Sequence, residues 1–155
     1  MLKIKNIFLS YTKDQDILKG IDLDLKKGEI ISILGGSGSG KTSLLRVLAG
    51  LENPYKGEIF INGSPVLSES FFVPTHKRNI GLVLQEKGLF PHLTIMQNVC
   101  FGLKGSKTEQ RKLALNLLKT FKVDRYVDSY PNNLSGGEQQ RVAIARAIAP
   151  KPKIL

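Results

Sequence analysis

Apolar and polar residues alternate along the first part of the chain. Residues 2–10 alternate and predict a strand that Tyr11 closes. Residues 21–25 keep the strict period of two that is typical of a strand with one wet face. Residues 57–61 predict a third strand. Asn62-Gly63 predicts a tight hairpin turn, after which the chain runs back beside that strand. This part of the chain is therefore expected to be antiparallel.

Other apolar runs are continuous and indicate buried core strands. Residues 29–34 form a short, β-branched run, and residues 80–84 form a second run that ends at Gln85. Residues 153–155 resemble the first step of another strand. Because helical segments alternate with these runs, we expect an α/β fold with a parallel core sheet beside the antiparallel part.

Four helices are predicted from capping residues and helical spacing. Residues 43–49 have helical spacing and end at Gly50. Capping-box patterns at 94–97, 106–109 and 135–138 open helices that run to about residues 103, 121 and 149. Pro150 ends the last of these helices.

Composition is that of one ordinary globular domain. The chain has 155 residues, of which 41% are hydrophobic, and it has no apolar run long enough to span a bilayer. Lysines interrupt the apolar residues at the start, so a signal peptide is not predicted. Cys100 is the only cysteine, which fits a reducing compartment and predicts a small buried hydrophobic side chain.

The net charge of +10 raises the question of an anionic partner. The lysines are scattered and are not interleaved with aromatic residues. This pattern favours a solvated face over a nucleic-acid track, so no nucleic acid partner is expected.

The most informative stretch follows the run 29–34 and precedes the first helix. It fits the pattern of a phosphate-binding loop, and its residues are Gly35, Gly36, Ser37, Gly38, Ser39, Gly40, Lys41 and Thr42. Glycines let backbone N–H groups approach a phosphate, and the helix start adds its positive dipole end. Lys41 is expected to bind the β- and γ-phosphates and Thr42 to ligate Mg²⁺. The alternative is a glycine-rich turn with an incidental lysine.

A second motif points to a known family. The stretch from Leu134 to Arg141, downstream of the phosphate loop and of Gln85, resembles the signature sequence of the ATP-binding subunits of ABC transporters. Residues 80–103 are most similar to bacterial importers of ferric iron, polyamines, sulfate or sugars. The resemblance covers essentially the whole chain and implies a P-loop nucleotide hydrolase fold, with one ATP-binding domain at 1–155 and a helical subdomain at about 86–140.

The resemblance also implies roles for individual residues. Tyr11 matches the aromatic residue that stacks on adenine; otherwise it is a strand-end tyrosine packed on the core. Ser43 continues the phosphate loop. Gln85 matches the glutamine that reaches Mg²⁺ and the attacking water, although by position alone it is a polar strand end. The residues that match the contacts to the γ-phosphate held by an opposite subunit are Ser135, Gly136 and Gly137. An ordinary capped helix is the alternative there.

The family continues beyond Leu155 with an Asp-Glu pair and a switch histidine, and this sequence contains neither. We therefore expect an N-terminal fragment or a truncated gene product, incomplete at its C-terminus, that binds ATP weakly at best and lacks turnover alone.

The resemblance implies an ABC-type ATPase that binds ATP and Mg²⁺ and powers solute import. Its implied partners are transmembrane permease subunits and a second ATP-binding subunit in a head-to-tail dimer, at the cytoplasmic side of the inner membrane. The competing interpretations are a soluble ABC ATPase of DNA repair or translation and a non-catalytic remnant.

Overall fold

A computed structural model describes residues 1–12 and 15–155 and divides them into two compact units. The first unit, Met1–Asn79, contains strands β1 (Leu2–Thr12), β2 (Gln15–Leu25), β3 (Lys56–Ile61), β4 (Ser64–Ser68) and β5 (Phe71–Phe72), helix α1 (Lys41–Ala49) and a 3-10 helix at Thr75–Lys77. The second unit, Ile80–Leu155, contains helices α2 (Ile95–Cys100), α3 (Lys107–Thr120) and α4 (Gly136–Ile148), with 3-10 helices at Asp124–Tyr126 and Pro131–Asn133.

The sheet of the first unit is antiparallel throughout, as the alternating pattern predicts. Its strand order is β2-β1-β3-β4-β5, and β1 pairs with both β2 and β3. Every other residue of β1 is buried near its start, beginning with Leu2 and Ile4. Asn62 and Gly63 have φ of 51° and 77°, which are the left-handed values that a two-residue hairpin between β3 and β4 requires.

The prediction of a buried strand at residues 29–34 is wrong. The structure has no strand there, and Ile30 and Leu34 are 95% and 90% exposed. An apolar run becomes a buried strand only when neighbouring strands supply hydrogen bonds and a packed face on each side. Within Met1–Asn79 every described strand of the sheet is antiparallel and none of them pairs with this run.

The second unit is helical, and its helices begin where the capping patterns predict. The side chains of Thr94, Ser106 and Ser135 each form a complete capping box, with Gln97, Glu109 and Glu138 as the reciprocal partners. Its buried core packs residues of α2, α3 and α4 together, and its largest fully buried hydrophobic side chains are Ile95, Val99, Leu118, Val123 and Val142. Cys100 is half-buried against this core, slightly more open than predicted.

The predicted core strand at residues 80–84 is reduced to one parallel bridge between Ile80 and Ile154. The Gly81 N–H donates to the Ile154 carbonyl oxygen at 2.8 Å. The prediction of a strand beginning at residues 153–155 is confirmed to that extent. Among the described residues, a parallel core sheet is therefore represented by this single pairing, because neither segment has a further strand neighbour there.

Candidate functional site

The phosphate loop ends where α1 begins, and Gly40 makes the junction. Gly40 has φ of 86°, and a Cβ at this position would lie 2.9 Å from Leu18 Cδ2 and 3.0 Å from the Ile17 carbonyl oxygen. Any larger residue would be strained in conformation and crowded against β2. A glycine here therefore lets the loop pass close to the strand before the helix starts.

The N-terminus of α1 has no side-chain cap, in contrast to the three helices of the second unit. Gly40 has no side chain with which to accept from the first-turn N–H groups. These donors and the positive end of the helix dipole remain available to an anion. Leu44 N–H donates to the Gly40 carbonyl oxygen at 2.8 Å, so the first turn is formed.

Lys41 folds back over the loop that precedes it. Its Nζ donates to the carbonyl oxygens of Gly35 and Gly36 at 2.9 and 2.6 Å and lies 3.2 Å from Ser39 Oγ. These three acceptors are neutral, so none of them compensates the ammonium charge. A phosphate bound in the loop would supply a negatively charged partner for Lys41.

The structure brings Tyr11 to the same place. The Tyr11 hydroxyl lies 3.3 Å from Ser43 Oγ in the first turn of α1, and the Tyr11 side chain is about half exposed. The bond to Ser43 positions the ring beside the loop while leaving ring surface open for stacking. Tyr11 is therefore not buried in the core, and its role in stacking on adenine stays a prediction.

A buried arginine, which sequence reasoning missed, holds the other end of α1. Arg78 is 2% exposed, and its Nη1 donates to the carbonyl oxygens of Val47 and Leu48 at 2.8 and 2.9 Å. Its Nε donates to the Val73 carbonyl oxygen, and its guanidinium lies 4.9 Å from the centre of the Phe72 ring. Burial lowers the pKa of Arg78. A cation at a helix C-terminus stabilises the helix dipole, so Arg78 anchors the phosphate-loop helix. In the sequence, the only sign of this role was the charge of Arg78 within a segment of both apolar and polar residues.

Gln85 lies exposed in a turn at the start of a loop that leads to α2. The loop is held by Asn98, a fully buried residue of α2. Its Oδ1 accepts from the Phe90 N–H at 2.8 Å, and its Nδ2 donates to the carbonyl oxygens of Phe90, Leu93 and Thr94. Its neighbours Ile95 and Val99 are also buried, so the Asn98 amide must find its hydrogen-bond partners within the protein.

The signature residues Ser135, Gly136 and Gly137 form the exposed start of α4. Ser135 Oγ accepts from the Glu138 N–H and donates to Glu138 Oε2, and Tyr126 donates a hydrogen bond to Glu138 Oε1 at 2.6 Å. These bonds, led by that of Tyr126, lower the pKa of Glu138 to about 2. The carboxylate thus orders the helix start while the two glycines expose backbone.

Lys87 connects the loop to this helix. Its Nζ donates to Gln139 Oε1 at 3.2 Å and would lie 3.3 Å from a Cβ at Gly136. Of the predicted site residues, Tyr11 and the phosphate loop lie together in the first unit, and Gln85 and the signature residues lie in the second.

Thr42 and Gln85 are the two predicted metal ligands, and both are exposed. Each offers a neutral oxygen, the hard donor type that Mg²⁺ accepts. In residues 1–12 and 15–155 there is no cluster of three or more His, Cys, Asp or Glu side chains able to hold a metal. The role of Thr42 and Gln85 as Mg²⁺ ligands therefore stays a prediction.

Residues 18–155 match the model of the family described as ABC transporter. The Fe(3+) ions import ATP-binding protein FbpC of Haemophilus influenzae is 40% identical over 158 residues, which cover 100% of this chain and 45% of the relative. The spermidine/putrescine import ATP-binding protein PotA of Mesoplasma florum is 43% identical over 161 residues, covering 100% of this chain and 44% of the relative. The chain therefore spans a little under half the length of these relatives.

A solved structure with a similar fold is the dimeric bacterial ABC transporter cassette MJ0796. It matches with a TM-score of 0.86 and 39% identity over 98% of this chain and 71% of that one. Among the described residues, no helix is both long enough and apolar enough to cross a membrane.

Proposed function

Because the chain belongs to the ABC transporter family, we propose that it acts in an ATP-binding subunit that binds and hydrolyses ATP to power solute import. The importer assignment is supported by the names of the relatives, which describe them as import ATP-binding proteins for Fe(3+) ions and for spermidine/putrescine. The observation that carries the nucleotide assignment is the start of α1: it has no side-chain cap, and Lys41 Nζ donates hydrogen bonds to the carbonyl oxygens of the loop before it.

ATP is held in this proposal by residues 35–43, with adenine against the half-exposed ring of Tyr11. The N–H groups at the start of α1 donate to phosphate oxygens, and Lys41 exchanges neutral carbonyl acceptors for an anionic one. Thr42 and Gln85 would hold Mg²⁺, which when bound neutralises charge on the triphosphate. Gln85 would also orient the attacking water through its amide.

Nucleotide titration of the 155-residue chain tests the assignment. Lys41→Ala removes a charge-assisted contact of about 1.5–3 kcal/mol, so affinity for Mg²⁺-ATP should fall roughly 10- to 100-fold. Lys27→Ala, an exposed lysine in the turn after β2, is the matched control and should bind as the parent does. Equal affinity of all three proteins in calorimetry would contradict a phosphate site at Lys41.

A second copy of the subunit completes the proposed site. The exposed N-terminus of α4, with Ser135 and the two glycines, would contact the γ-phosphate of ATP that is held by the phosphate loop of its partner. The dimeric state of the cassette MJ0796 supports association of two copies, and the head-to-tail arrangement is part of the proposal. The dimer would act on transmembrane permease subunits at the cytoplasmic side of the inner membrane.

Sedimentation with and without Mg²⁺-ATP tests the dimer. Ser135→Arg should abolish ATP-dependent association. It should leave nucleotide affinity unchanged, because the phosphate loop that binds each ATP belongs to one subunit and the Ser135 that contacts its γ-phosphate belongs to the other. Ser106→Arg removes an equivalent capping box from α3 and should still associate. Association by Ser135→Arg at the parent concentration would refute the role of the signature residues.

A further inference from the structure

Net positive charge is concentrated in the second unit. Residues 80–155 contain 12 of the 23 lysines and arginines but only 5 of the 13 aspartates and glutamates. Helix α3 has four such cations, and all of them are exposed: Lys107, Arg111, Lys112 and Lys119. The nucleotide site proposed above uses none of them.

These four cations surround an apolar side chain. Lys107, Arg111 and Lys112 line a shallow surface hollow of about 410 Å³ together with Thr108 and the half-buried Leu115. Lys119 lies four residues beyond Leu115 and therefore on the same side of the helix. We call the surface formed by Lys107, Arg111, Lys112, Leu115 and Lys119 the basic face of α3.

No carboxylate of α3 neutralises this face. Glu109 is the only acidic residue in the helix, and its Oε2 accepts from the Ser106 N–H and from Ser106 Oγ at 3.0 and 2.7 Å. Among the described residues, the ion pairs all lie elsewhere and involve Lys5, Arg46 and Arg125. The basic face therefore presents net positive charge to solvent.

We propose that the basic face of α3 binds the anionic phospholipid surface of a membrane. Its chemistry fits a charged plane: the residues from 107 to 119 span about 18 Å of helix, and long cationic side chains can extend from an apolar centre to headgroup phosphates. Nucleic acid fits less well, because the face contains no aromatic residue on which a base could stack.

The proposal adds a contact to a subunit already proposed to work at a membrane, and it does not use the nucleotide site. Screening by salt is a necessary consequence, because exposed charges interact over about 8 Å at physiological ionic strength. The face would orient the second unit toward the headgroups.

Vesicle co-sedimentation of the 155-residue chain tests the proposal. The chain should bind vesicles of phosphatidylglycerol mixed with phosphatidylcholine, should release at high salt, and should not bind phosphatidylcholine alone. The triple variant Arg111→Glu, Lys112→Glu and Lys119→Glu should lose on the order of a hundredfold in partitioning, since each basic residue near the surface contributes roughly fivefold.

The matched control reverses three exposed lysines of the first unit: Lys19→Glu, Lys26→Glu and Lys27→Glu. Both triple variants have the same net charge, so retention by the control and loss by the α3 variant would locate binding on α3. Circular dichroism checks that both variants fold, and Mg²⁺-ATP titration shows that the nucleotide site is separate.

Three results would overturn the proposal: absence of binding to anionic vesicles by the parent chain, equal losses in both triple variants, or tighter binding to a polynucleotide than to vesicles at the same salt. Failure of nucleotide binding in the parent chain with intact lipid binding would contradict only the proposed function.

Discussion

Replacing Gly40 by alanine should damage the phosphate loop by two separate physical effects. Gly40 has φ of 86°, a left-handed value that costs a residue with a Cβ about 1–2 kcal/mol. The new methyl group would also lie 2.9 Å from Leu18 Cδ2 and 3.0 Å from the Ile17 carbonyl oxygen. Carbon atoms pack best at about 3.5–4.0 Å, and overpacking of this kind costs about 1–3 kcal/mol.

The combined penalty, about 2–5 kcal/mol, must be met whenever the loop takes its present shape. A nucleotide that requires this shape should therefore bind at least roughly 30-fold more weakly to Gly40→Ala. Isothermal titration with Mg²⁺-ATP measures the affinity, and thermal denaturation measures how much of the penalty appears as lost stability.

Two neighbouring glycines separate the effects. Gly38 has φ of 80°, but no described atom lies within 4 Å of the position that a Cβ would take, so Gly38→Ala should show the conformational penalty alone, about 1–2 kcal/mol. Gly36 has neither a positive φ nor a close neighbour among the same atoms, so Gly36→Ala should bind as the parent does. If Gly36→Ala were as damaging as Gly40→Ala, or if Gly40→Ala bound normally, the reasoning would be refuted.

Three further predictions concern groups that hold the site in place. Arg78→Met should lower the free energy of unfolding in urea by about 2–4 kcal/mol, because the carbonyl oxygens it satisfies stay buried; a loss under about 1 kcal/mol would contradict this. Asn98→Ala should cost about 2–4 kcal/mol in the same assay, whereas Asn116→Ala, at an exposed position of α3, should cost almost nothing. Glu138 has its pKa lowered to about 2, so its carboxylate stabilises the fold above its ordinary pKa, about 4.3, and that contribution is lost as pH falls toward 2. Glu138→Gln should remove this part of the acid dependence in unfolding titrations, and parallel pH curves for the two proteins would exclude it.

Local chemistry was readable from the residues alone. The capping boxes of α2, α3 and α4, the hairpin at Asn62-Gly63 and the helix stop at Gly50 are determined by side chains and glycines within a few positions of one another. The phosphate loop was readable for the same reason, since its glycines, Lys41 and Thr42 lie within one short stretch. The family followed from the order of such motifs along the chain.

Long-range packing was decided only by the tertiary structure. The run at residues 29–34 has the composition of a buried strand, yet it is exposed, because burial depends on distant strands that its own residues do not specify. Arg78 and Asn98 were missed because their acceptors are backbone carbonyls, which every residue possesses and no sequence pattern reveals. Hydrogen bonds to backbone are fixed by where the chain passes, so only the folded arrangement shows which polar side chains hold the site.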